Sequence, residues 1–127
     1  MNPEVFKKRT KAFALRVIHL VESLPKTRTS DVIGRQLLRS GTSVGANYRA
    51  ACRARSRADF VSKMGIVEEE RDESMYWMEL LIEGNQIKQA RLTNLMQEAD
   101  ELLAMIVASC KTAKWSGNPQ SAIRNRQ

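Results

Sequence analysis

QLLRSGTSVGANYRAACRARSR, residues Gln36 to Arg57, joins the chain's concentration of small residues to its densest run of arginines. Read as a helix turning about 100° per residue, this segment and the residue before it set Arg35, Arg39, Arg49 and Arg53 in one narrow sector, and Arg57 extends that line. A separate sector holds Ile33, Leu37, Ser40, Gly41, Val44, Tyr48 and Ala51, an apolar stripe interrupted by small residues. One face packs and another is strongly cationic. Gly41 and Gly45 each cost on the order of 1 kcal/mol against alanine inside a helix, and close approach of a neighbouring helix is the compensating use. A phosphate-cradling loop fits poorly, because GTSVGANY lacks the Lys-Ser/Thr ending of such loops and follows no strand.

On the N-terminal side, Phe6, Phe13, Val17, Leu20, Val21 and Leu24 recur at helical spacing and predict a first helix over about 4–24, stopped by Pro25. Lys7, Lys8, Arg9, Lys11 and Arg16 scatter around its other sides and read as a solvated surface. Thr29 or Ser30 is the expected cap of the second helix, over about 30–54, with Asp31 set well against its dipole. Ser56 followed by Asp59 signals a new cap, so the turn falls near Arg55 to Arg57 and a third helix runs over about 58–83. Its apolar side carries Phe60, Met64, Val67, Met75, Met78, Leu81 and Ile82, broken by Arg71, which is expected to be either buried and paired or a sign that the helix is less buried there. Gly84-Asn85 is a helix stop, and Leu92, Leu95, Met96, Ala99, Leu102, Leu103, Ile106 and Cys110 mark a fourth helix over about 90–114. The expected fold is all-α, an antiparallel up-and-down four-helix bundle filling residues 1–114 as one domain. The segment 115–127, WSGNPQSAIRNRQ, has no periodicity and reads as a mobile tail.

The 127-residue chain carries a formal charge of +7 that is unevenly spread: residues 1–57 hold 13 Lys and Arg against 3 Asp and Glu, whereas residues 58–127 hold 8 against 11. A net +10 beside a net −3 makes a polyanion the natural partner of the first half, and makes pairing with the chain's own acidic third helix the competing account. Cys52 and Cys110 stand far apart with no secretory leader ahead of them, the pattern of reduced thiols in a cytoplasmic protein. The longest apolar run, Leu102 to Cys110, is about half a membrane span. His19 is the lone histidine and has no Cys or carboxylate cluster at ligand spacing, so neither a metal site nor a nucleophile–histidine pair is expected. Glu69 and Glu73 share a helix face but lack the Glu-x-x-His companions of bundle di-metal sites. No cofactor is expected.

The segments QLLRSGTSVGANYRAACRARSRADF and GIVEEERDESMYWMELL resemble the four-helix bundle family of 23S ribosomal RNA intervening sequence proteins, over roughly Phe6 to Ala113. The accessory protein of diversity-generating retroelements is a more distant likeness. The resemblance implies a ring, typically a homopentamer, with no enzymatic activity. The retroelement relative is basic and associates with nucleic acid and a reverse transcriptase, in line with the charge distribution here. No catalytic residues transfer. The positions carried over are Arg39, Ser40, Asn47, Tyr48, Arg49, Glu69 and Glu73, as determinants of packing or of the ring contact, and Gly41 and Gly45 join them on the packing argument.

Two functional readings follow. In the first, a non-catalytic oligomer binds RNA or DNA through Arg35, Arg39, Arg49, Arg53 and Arg57 by phosphate contacts, with steep salt dependence and little sequence preference. No aromatic residue alternates with those arginines, which argues against stacking on single-stranded bases. In the second, the same arginines meet the acidic third helix of their own or an adjacent subunit, with Arg49 and Glu73 as the pair to test, and the protein is an interaction scaffold. A metal enzyme built on Glu69 or Glu73 ranks third.

Overall fold

A computed structural model of the chain describes residues 2–116. Four α-helices follow one another: α1 (Pro3–Glu22), α2 (Arg28–Ala51), α3 (Arg57–Glu83) and α4 (Thr93–Ser116), with a single 3-10 turn at Gln89–Arg91 before α4. Each packs on the next, and α4 closes back on α1, as short connections between long helices require. The fold is an all-helical bundle.

Short polar side chains set the helix starts. The Asn2 carboxamide oxygen accepts from Glu4 N–H at 2.8 Å, with Pro3 in the first turn where its missing N–H costs nothing. Thr27, not Thr29 or Ser30, caps α2, accepting from Ser30 N–H at 3.0 Å. Ser30 turns inward instead and donates to the Gln86 carboxamide oxygen at 2.8 Å, so the cap moves to the nearest hydroxyl in extended backbone. Ser56 caps α3, accepting from Asp59 N–H at 3.0 Å. Asn85, rather than Gly84, takes the left-handed conformation after α3, at φ 60°. Residues 117–127 of the expected mobile tail lie outside the described residues, whereas Trp115 and Ser116 belong to α4.

The core runs the length of the bundle through Phe6, Phe13, Val17, Leu37, Val44, Met64, Val67, Met78, Leu102 and Ile106, all fully buried. Helices α1 and α2 touch closely. A Cβ on Gly41 would sit 2.9 Å from both Val17 methyls, and one on Gly45 would sit 3.0 Å from Thr10 Oγ1. Between α2 and α3 the contact is also through small residues, with Ser74 Oγ donating to Ser40 Oγ at 3.0 Å inside the core. Arg71 is buried and fully engaged: Nε donates to the Ala99 carbonyl at 2.9 Å, one terminal nitrogen to Asp100 at 2.8 Å and the other to Asp72 at 3.1 Å. Its guanidinium therefore ties α3 to α4. On the opposite seam Arg9 ties α1 to α4 through Glu98, at 2.5 Å.

Candidate nucleic-acid interface

The arginine line expected along the second helix is divided by the structure. Arg35 pairs with Asp31 one turn earlier, at 3.0 Å, and both ends of the pair are exposed. Arg39 reaches across to α3, where it meets Glu70 at 3.4 Å and makes a short contact to Glu73. The negative charge of Glu70, ahead of that of Glu73, pushes the Arg39 guanidinium up from its ordinary value. These two arginines occupy the middle of α2 with their charge already answered.

Arg53 and Arg57 are not on that helix face, as the sequence pattern has them. Helix α2 ends at Ala51, with Cys52 as its C-terminal cap, and Arg57 is the first residue of α3. The cause is the competing start signal: Ser56 takes the Asp59 N–H while the Asp59 carboxylate accepts from Arg55 N–H at 3.1 Å, a reciprocal cap that bends the chain before α2 can continue. That backbone bond first, and Lys63 second, hold the Asp59 carboxyl below its usual range. Arg49, Arg53 and Arg57 are all exposed, and none forms an ion pair among the described residues.

The antiparallel arrangement brings the end of α2 and the start of α3 beside the start of α1. The charged side chains lining a groove of about 360 Å³ between α1 and α2 are Lys7, Lys8, Lys11 and Arg49, with Glu4 as its one carboxylate. Thr10 and Gly45 lie at its base, where the missing Cβ lets the helices meet. Lys7 is tied to Glu4 at 3.3 Å, while Lys8 and Lys11 have no carboxylate partner among the described residues. Sequence reading sets these lysines aside as solvated surface. Their signal is local: Lys7 and Lys11 at i, i+4 and Lys8 and Lys11 at i, i+3 share a helix side, but only the pairing of α1 with α2 says that this side adjoins Arg49. Phosphate oxygens spaced along a nucleic-acid strand are the kind of target a spread of unpaired Lys and Arg side chains suits.

The other singled-out residues serve the interior or stand apart. Ser40 is buried against Ser74, and Asn47 Nδ2 donates to the Ser43 carbonyl at 2.8 Å on its own helix. Tyr48 is buried edge-on to Phe6, ring centroids 4.5 Å apart, and burial, reinforced by a hydrogen bond with Cys52, pushes its hydroxyl up. Glu73 pairs with Arg39 and not with Arg49, since Arg49 points to the α1 side of α2. Glu69 is exposed and makes no ion pair among the described residues. Cys52 is exposed, Cys110 is half-buried, and both are free thiols. Among the described residues no group of three His, Cys, Asp or Glu is placed to hold a metal ion, and no helix is long and apolar enough to cross a membrane.

Residues 4–108 match the family model described as 23S rRNA-intervening sequence protein. Among solved structures, a Bacteroides thetaiotaomicron protein with unknown function from the S23 ribosomal protein family is similar, with 36% sequence identity and a TM-score of 0.81. The likeness covers 87% of this chain and 99% of that one. No curated protein matches the chain.

Proposed function

The chain belongs to the 23S rRNA-intervening sequence protein family, and on that premise we propose that it is a non-catalytic, ring-forming bundle protein of the cytoplasm that binds RNA or DNA through its basic end. The observation that carries this reading is the contrast within one helix: Arg39 is matched by carboxylates, while Arg49, with Arg53 and Arg57 just beyond it, is exposed and unmatched beside Lys8 and Lys11. Unpaired surface cations repel one another and contribute nothing to folding, so their convergence on one end suits an external polyanion. A ring, with a homopentamer as the family likeness implies, repeats that end and multiplies individually weak phosphate contacts.

The test is retention of structured RNA and of duplex DNA on filters at two salt concentrations, with the mass in solution measured on the same sample. Binding of both, weakening steeply with salt because counterions are released, supports the reading; no retention at low salt overturns it. A second reading, a scaffold joined through arginine–carboxylate pairs between subunits, is favoured by the exposed acids Glu69, Asp72, Glu79 and Glu83 along α3. Under it, Arg49→Glu dissociates the oligomer on a sizing column; under the first, the oligomer persists and nucleic-acid binding falls.

A further inference from the structure

The end of the bundle that carries the unpaired arginines also carries an open cleft. A cleft of about 690 Å³ opens among the first turn of α1, the last turn of α2, the start of α3 and the last turns of α4. Its apolar wall includes Tyr48, Phe60 and Ala108, and its rim carries Lys7, Arg55 and Arg57. Pockets of about 300–1,000 Å³ enclose small organic ligands, so this cleft has room for one.

Its chemistry narrows the occupant. A small hydrophilic anion would meet the arginines but leave the Phe60 wall exposed to water, and an apolar ligand would fill the wall but desolvate the cations without pairing them. A ring system bearing a phosphate satisfies both. Tyr48 is only 2% exposed and locked against Phe6, so it forms the floor. Phe60 is half-buried and offers the remaining aromatic surface. The rim is set in advance by the reciprocal cap of Ser56 and Asp59, which fixes the backbone between Arg55 and Arg57. Asp59, the carboxylate in that turn, is already engaged by Arg55 N–H and by Lys63 at 3.1 Å, and Lys7 is engaged by Glu4, so the guanidinium groups of Arg55 and Arg57 are left as rim cations with no ion pair among the described residues. Phe60 stands one helical turn after Arg57 on α3, and the packing of the four helices brings that pair to the same cleft as Tyr48.

We infer that this cleft takes one unpaired nucleotide, its base against Phe60 and its phosphate at Arg55 and Arg57. The inference rests on the nucleic-acid reading and adds a preference to it, for strands with an unstacked end or bulge over uniform duplex. The same chemistry has two sources, a free mononucleotide or an unpaired residue of a longer strand, and the experiment separates them.

The full chain and its Ala108→Trp variant are titrated with a blunt RNA duplex, the same duplex bearing one unpaired 3′ nucleotide, adenosine monophosphate, and inorganic phosphate. Ala108 is an exposed α4 residue on the cleft wall, so the indole fills the space without removing a positive charge. The expected result is that the overhang binds about 5- to 150-fold tighter than the blunt duplex, the range that one base–aromatic contact supplies, and that A108W loses this advantage while binding blunt duplex as before. Adenosine monophosphate should compete for the overhang advantage where equal phosphate does not. Equal binding of overhang and blunt duplex by the unaltered chain, or a preference that survives A108W, overturns the inference and leaves the nucleic-acid reading standing. Binding of the mononucleotide alone, lost in A108W, with neither duplex retained, keeps the cleft as a free-nucleotide site and removes the nucleic-acid reading. Failure of all four ligands removes both.

Discussion

The middle of α2 and its C-terminal end both carry arginine and use it in opposite ways. Arg39 is spent inside the molecule, held by Glu70 and Glu73 of α3, and Arg71 is drawn further in, with Ala99, Asp100 and Asp72 taking its donors. Arg49, ten residues beyond Arg39, faces α1, whose neighbouring side chains Lys8 and Lys11 are cations too. The helix it belongs to then ends, and Arg53, Arg55 and Arg57 follow with a single carboxylate, Asp59, in their turn. The difference lies in which helix stands opposite. Net charge counted along a chain says how many cations there are; only the arrangement of helices says which of them are left over.

Substitutions at both places separate the two uses. The largest effect on stability belongs to Arg71→Ala, which removes the buried guanidinium's hydrogen bonds to the Ala99 carbonyl and Asp100 of α4 and empties the space of the arginine stem; it should cost about 2–3 kcal/mol in chemical denaturation. Next, Gly41→Ala forces a methyl to within 2.9 Å of both Val17 methyls. Overpacking of about 1–3 kcal/mol, less the roughly 1 kcal/mol that alanine returns in helix propensity, leaves a net loss of up to about 2 kcal/mol. Gly65→Ala, where nothing lies within 4 Å of the new methyl, should instead gain about 1 kcal/mol. Arg39→Gln removes a surface pair screened by solvent and should cost less than either Arg71→Ala or Gly41→Ala. Little or no loss for Arg71→Ala would mean that the buried cation is no more committed to the fold than Arg39.

Asp59 gives the smallest effect and a pH signature. Its folded pKa is lowered from 3.8, so its contribution is present above that value and is lost as the pH falls through the folded value. Asp59→Asn should therefore melt slightly below the unaltered protein at neutral pH and match it in strong acid. A variant that melts lower at both would show that the cap acts by shape and not by charge.

The bundle was largely legible because its signals are local. Periods of three and four in Phe6, Phe13 and Val17, or in Leu95, Ala99, Leu102 and Ile106, state which side of a helix is inside, and the Ser56-x-x-Asp59 start signal lies within one turn. The interrupted stripe of α3 was half legible, since an arginine among Met64, Val67 and Met78 signals either a buried, paired cation or a less buried helix, and only the partners Ala99 and Asp100 on α4 decide for the first. The cap of α2 was misplaced because Thr27, Thr29 and Ser30 are equivalent as residue types; the choice lies in the backbone, extended at Thr27 and already helical at Thr29 and Ser30, while Gln86 accepts from both the Thr27 and the Ser30 hydroxyls. The basic end was only half legible. Extending one helix through Arg57 placed Arg53 and Arg57 on a face they do not share, and the lysines of α1 join Arg49 only through the packing of α1 on α2, whereas Phe60 stands one helical turn after Arg57 in the sequence itself.

The most direct test of this division is the slope of log affinity against log salt for duplex DNA, measured for the unaltered chain, for Arg49→Gln/Arg53→Gln/Arg57→Gln and for Arg35→Gln/Arg39→Gln, with melting curves showing that all three are folded. Each lost phosphate contact removes about 0.9 from that slope. The account predicts a slope shallower by about 2.7 for the triple variant and almost unchanged for the double variant. Equal slopes for the two variants, or a larger loss for Arg35→Gln/Arg39→Gln, would contradict it.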